Sequence, residues 1–196
     1  MLVLASGQRA CVKIIGRANC QSTVDFKNVC DGLLQQGCTR LVLDLSECAL
    51  MDSTFLGCLA GIGKRLRLGP NPPAGRPRPS IELLNPNARV AGLLENLGVL
   101  DLFLVVTGDP NALSWTNCAV VECAGVGKEA TTLASLEAHQ TLMELNPANV
   151  PKFKDVATFL AEDLRRHVEE RNASSPTEAD CPGTSSDAPA EPVAAV

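Results

Sequence analysis

Thr39-Arg40-Leu41-Val42-Leu43-Asp44-Leu45 is almost continuously apolar, the pattern of a strand buried on both faces near the middle of a sheet. Cys48-Ala49-Leu50-Met51 follows and runs into Asp52-Ser53-Thr54. A helical pattern then extends to about Leu66, with Phe55, Leu56, Leu59, Ile62 and Leu66 on one side. A buried strand handing over to an amphipathic helix is the repeating unit of an α/β fold. Gly57, Gly61 and Gly63 lie inside this helix, and each costs about 1 kcal/mol relative to alanine. Close approach of another backbone, from the sheet or from a partner, is the reason they predict.

The same alternation extends in both directions. Met1 to Leu4 and Ala10 to Gly16 are short, rich in β-branched residues and separated by Ser-Gly-Gln-Arg, which suits a hairpin. Ser22 and Thr23 offer caps for the next helix, with Asp25 in a capping-box position. Phe26, Val29, Cys30, Leu33 and Leu34 share its face, and Gly37 ends it. Gly69 to Pro79 is a Pro-rich connector. Ser80 to Leu84 is a strand, Asn85-Pro86 caps a helix carrying Val90, Leu93, Leu94 and Leu97, and Gly98 terminates it. Leu100 to Val106 is the last strand.

Residues 1–106 therefore predict one α/β domain, a mixed sheet with packed helices joined by right-handed crossovers. Residues 107–134 read as an irregular linker and 135–171 as a helical extension. Its second helix, Pro151 to Arg171, places Phe153, Val156, Phe159, Leu160 and Leu164 on one face. That face predicts docking on the first domain or on a second copy, which would make a homodimer. Residues 172–196, rich in Ser, Pro, Ala and acidic side chains, read as a disordered tail.

Composition removes several functions. A net charge of −5 supplies no basic stripe for phosphates, and aromatics at 3% leave few stacking platforms, so a nucleic-acid partner is not expected. No apolar run reaches the roughly 20 residues of a membrane span, and the apolar N-terminus lacks a basic lead-in, so a cytoplasmic protein without membrane insertion is expected. The nine cysteines form no C-x-x-C, and His139 and His167 are remote from them in sequence, so neither a disulfide framework nor a metal site is expected. Phosphate-loop, H-E-x-x-H and G-x-S-x-G motifs are absent, and no cofactor is expected. A serine hydrolase would need a histidine beside Ser53, and only His139 or His167 could serve. The expectation is a protein that is not an enzyme.

Met51-Asp52-Ser53-Thr54, at a strand-to-helix junction, is the one stretch with a chemical reading of its own. Asp52 or Ser53 can simply be an N-cap. Alternatively, a hydroxyl facing solvent at a helix start can take a phosphoryl group of charge about −1.5 to −2, which the helix dipole tolerates. With Asp52 beside it, the patch would then repel a partner that fits the neutral form.

Over residues 1–106 the chain resembles the STAS domain of anti-sigma factor antagonists. Leu41 to Leu45, Met51-Asp52-Ser53-Thr54-Phe55-Leu56-Gly57, Gly61 and Lys64 carry the resemblance. It implies that Ser53 is the phosphoacceptor, with Thr54 as second choice, and that Asp52 shapes the acceptor loop. It also implies a partner surface of Asp52, Ser53, Thr54, Phe55, Gly57, Gly61 and Lys64. The implied partners are an anti-sigma factor serine kinase, released on phosphorylation, and a PPM-type serine phosphatase that resets the cycle. Phe55 stands where the family usually has glycine, and Asn19 where an acidic residue is frequent. The alternatives are a STAS scaffold subunit of a transporter or signalling complex, not phosphorylated, and a nucleotide-binding STAS domain, for which no phosphate-cradling loop is visible.

Overall fold

A computed structural model describes residues 1–72, 74–75, 77–109, 115, 117–123 and 125–174, with side chains through Arg171. β1 (Leu2–Ser6) and β2 (Arg9–Lys13) make the expected hairpin, turned at Gly7 with φ +57. β3 (Gly16–Ala18) precedes α1 (Cys20–Gln35), and β4 (Arg40–Asp44) and β5 (Cys48–Met51) precede α2 (Ser53–Leu68). β6 (Ser80–Leu84), α3 (Ala88–Asn96), a 3-10 turn and β7 (Leu104–Val106) follow. The chain continues through β8 (Ala119–Val120), α4 (Lys128–Leu145) and α5 (Val150–Ser174).

Among the described residues the main sheet has the order β7-β6-β4-β2-β1-β8, and β3 pairs with β5 in a separate two-stranded ribbon. β2, β4, β6 and β7 are parallel, whereas β1 runs antiparallel to both its neighbours. The fold is thus α/β with a mixed sheet, as the alternation predicts, and β4 sits inside it. Ala10, Val12, Leu41, Leu43, Leu45, Ile81 and Leu83 form the sheet side of the core. Phe26, Cys30, Leu33, Phe55, Leu56, Leu59, Val90 and Leu94 close it from α1, α2 and α3. None of the described helices is long and apolar enough to cross a membrane.

Helix ends correct the sequence reading in two places. α1 starts at Asn19 rather than at Ser22 or Thr23. Asn19 and Ser22 exchange side-chain to backbone bonds in a reciprocal capping box, and Asp25 has no part in it. α3 is capped by Asn87, whose Oδ1 accepts from Val90 N at 2.9 Å, while Asn85 takes a left-handed φ of 51. In both places several capping residues stand within four positions, and at the second a tertiary contact selects one. Asn87 is chosen because its Nδ2 also donates to Cys48 O of β5, at 2.6 Å. The terminators Gly37 and Gly98 hold as expected, at φ 92 and 65.

The C-terminal region departs further. β8 and the first turns of α4 fall within the span expected to be an irregular linker, and α4 begins at Lys128 rather than at residue 135. Residues 175–196, most of the expected disordered tail, lie outside the described residues. α4 and α5 pack against each other, and α4 lies on α2 and α1, so the extension docks on its own domain.

Phe55 is fully buried, with its ring centroid 4.5 Å from that of Phe26. Truncation there removes an aromatic pair from the centre of the helical layer. Phe55→Ala should lower unfolding free energy by about 3–5 kcal/mol, read from urea denaturation. A loss under 1 kcal/mol would mean that the ring is not a core element.

Candidate functional site

The hydroxyl singled out by sequence sits where β5 ends and α2 begins. Asp52 closes β5, donating its backbone N–H to Ala18 O of β3 at 3.0 Å. Its side chain then caps two helices at once. Oδ1 accepts from Phe55 N at 2.8 Å, inside α2, and Oδ2 accepts from Cys20 N at 2.9 Å, the first residue of α1. Four N–H groups at each helix start lack intrahelical partners, and one carboxylate supplies acceptors to both starts. Of the two cap readings, Asp52 is the cap. Ser53 is left as the first helical residue, with a hydroxyl that the helix does not use.

That hydroxyl does not point freely to solvent as expected. Ser53 Oγ lies 3.0 Å from Nε2 of His139, on α4, in a half-buried contact. His139 is 6% exposed, and its ring stacks at 4.8 Å on Phe153 of α5. Burial lowers its pKa from the ordinary 6.5, with the Ser135 carbonyl and the Asp52 carboxylate acting the other way, so the ring is held neutral. With the ring proton on Nδ1, Nε2 is the acceptor for the Ser53 hydroxyl.

The pair spans 86 positions of sequence, and no local pattern could have announced it. It meets half of the condition for an activated serine. The other half is missing among the described residues: His139 Nδ1 has no side-chain partner, and both Asp52 oxygens are engaged by backbone N–H groups. His167 is engaged within α5, its Nδ1 2.6 Å from the Asp163 carbonyl.

The remaining expected contact residues divide sharply. Thr54 and Phe55 are buried, at 6% and 0% exposure, so neither side chain belongs to a surface. This corrects the placing of Thr54 and Phe55 in the partner surface, since α2 turns both side chains inward and Phe55 into the core. Gly57, Gly61 and Lys64 do share one face with Ser53, and α4 lies on that face. A Cβ at Gly57 would come within 2.5 Å of Ala138 O, so here the missing side chain allows a backbone to approach. At Gly61 the nearest atoms belong to Thr141 at 3.7 Å, which leaves room. At Gly63 the neighbour is the Phe103 ring, on the way to β7. Lys64 Nζ pairs with Glu144 at 2.6 Å.

The described cysteines are all free. Burial pushes the thiols of Cys11 and Cys58 up to about 11 and about 12, so they act as small apolar groups. Among the described residues no cluster of His, Cys, Asp and Glu is arranged to hold a metal ion.

No protein-family model matches the chain, and no curated protein sequence matches it. Solved structures do. The anti-sigma factor antagonist SpoIIAA in its unphosphorylated form is 19% identical, with a TM-score of 0.43, over 55% of this chain and 87% of that one. A Thermotoga maritima protein described as a candidate anti-sigma factor antagonist is 19% identical, with a TM-score of 0.46, over 56% and 86%. The Bacillus cell fate determinant SpoIIAA in its phosphorylated form is 18% identical, with a TM-score of 0.41, over 55% and 90%. None of these likenesses assigns a role to a residue of this chain.

Two outcomes follow from the geometry. Asp52→Ala leaves N–H groups of two helices without their acceptor and should cost about 1–3 kcal/mol in urea denaturation, with Asp52→Asn losing less. The folded state resists protonating His139, so its contribution to stability is complete above pH 6.5 and declines as pH falls below that value. Between pH 7.5 and 5.5 the wild type should therefore lose more stability than His139→Gln. Equal losses would show that the ring is not held neutral.

Proposed function

We propose that this chain is a cytoplasmic STAS-type anti-sigma factor antagonist whose binding state is set by phosphorylation of Ser53. One observation carries the reading: Asp52 does the capping, so Ser53 stands at the first position of α2 with a hydroxyl free of any backbone duty. A phosphoryl group there meets the positive end of the helix dipole and leaves the strand-to-helix junction intact. It also adds negative charge beside Asp52 and replaces a hydroxyl that now contacts His139. The change falls at the half-buried contact between α2 and α4 and leaves the sheet side of the core untouched, which suits a partner switch.

On this reading the partners are an anti-sigma factor serine kinase, bound by the unphosphorylated form, and a PPM-type serine phosphatase. The binding surface comprises Asp52, Ser53, Gly57, Gly61 and Lys64, with Thr54 as a second acceptor only if α2 frays at its start. Residues 1–106 form the switching domain, 107–134 lead to the extension, and 135–171 belong to the extension. A transporter-linked or signalling scaffold that is not phosphorylated is the second reading, and the His139 cover over Ser53 favours it.

Incubation of the full chain with a histidine-kinase-fold serine kinase encoded beside it and ATP, followed by intact-mass spectrometry, separates the two. The expected result is a gain of one phosphate that Ser53→Ala abolishes and Thr54→Ala does not. No gain with such a kinase supports the scaffold.

A further inference from the structure

Nothing in the capping of α2 calls for His139. Asp52 already serves the helix start, its two oxygens accepting from Phe55 N and Cys20 N. Yet an imidazole that is 6% exposed lies 3.0 Å from the Ser53 hydroxyl. Burial disfavours the charged ring. A neutral imidazole whose Nε2 faces a hydroxyl is in the state that accepts a proton.

Three features hold the ring there. Leu142, three residues on, is fully buried in the main core and anchors this half of α4. The missing Cβ of Gly57 lets α4 close on α2, since that Cβ would come within 2.5 Å of Ala138 O. Phe153 of α5 stacks on the ring at 4.8 Å. Packing thus does what the third residue of a triad does, which is to keep the base at the nucleophile. Asp52 of α2 is the charged group whose field reaches the ring. On α5, Lys152 is turned to Asn96 and Asn149, and on α1, Lys27 is paired with Glu137.

We propose, on the reading of Ser53 as the phosphoacceptor, that His139 is the catalytic base of the transfer, a group that the acceptor chain itself brings to the kinase. As Ser53 Oγ attacks the γ-phosphorus of ATP, its O–H bond breaks and the proton moves to His139 Nε2. The Oγ–P bond forms, the bond from phosphorus to the bridging oxygen breaks, and ADP leaves with that electron pair. The proton left on Nε2 makes the ring cationic beside the new phosphoryl group, so the product carries its own counter-charge.

The test uses neither kinase nor ATP, so this assignment and the phosphoacceptor reading can fail separately. Diisopropyl fluorophosphate offers Ser53 a phosphorus electrophile, with fluoride as the leaving group. Labelling of the full-length chain is followed by intact-mass spectrometry and mapped to Ser53 by its loss in Ser53→Ala. His139→Gln should label at least about tenfold more slowly than the wild type. The wild-type rate should be level from about pH 8 to 6.5 and fall with a midpoint below 6.5. That midpoint should coincide with the titration of His139 followed by NMR, where His167→Gln tells the two ring signals apart. His139→Gln should show no such midpoint. Absence of labelling at Ser53, equal rates in wild type and His139→Gln, or a midpoint that departs from the His139 titration overturns the proposal. Should His139→Gln fail to fold, the wild-type rate profile set against the NMR titration decides alone. A chain labelled as expected but refused by the neighbouring kinase supports the base and counts against the switch.

Discussion

One carboxylate organises this molecule. The two oxygens of Asp52 reach into the starts of α1 and α2, and its backbone N–H joins β5 to β3. Two helices and a strand ribbon are thereby brought into register at a single residue. The arrangement is economical in electrostatic terms, since two positive dipole ends that would repel each other converge on one shared negative charge. The Phe26–Phe55 pair at the centre of the core joins the same two helices that meet at that junction.

The same junction separates structure from chemistry. Because capping is done by the aspartate, the serine after it owes nothing to the helix, and a change at its hydroxyl leaves the backbone bonds intact. The neighbours on either side of Ser53 are structural, Asp52 through its bonds and Thr54 through its burial. The hydroxyl of Ser53 is thus left outside the backbone bonds of the junction, in contact with His139 alone. The histidine above it is buried, which favours the neutral ring over the charged one.

What sequence reveals here follows the range of the interaction. The buried strands 41–45 and 81–84, the apolar faces of α1 to α3, and the stops at Gly37 and Gly98 are written in local periodicity and in positive φ, and all were legible. The caps at Asn19 and Asn87 were not, because neighbouring residues are equally able, and at Asn87 a distant contact chooses among them. β3, β5 and β8 are too short to have a period, and pairing alone defines them. At the site, the prominence of Ser53 and the oddity of Gly57 could both be seen. Their common neighbour could not, since nothing near residue 139 marks it as the lid of residue 53. The interior glycine announced that a backbone would come close without saying which.

α5 adds a mechanical consequence. It spans Val150–Ser174, which at 1.5 Å per residue is a rod of roughly 37 Å. Its Phe153 rests on His139, near the N-terminal end of the rod. Further along, Asp163 lies 3.5 Å from Lys128 and Arg171 2.9 Å from Glu129, both at the start of α4. The rod is thereby braced along its length on a single neighbour, by Phe153 against His139 and by Asp163 and Arg171 against the start of α4.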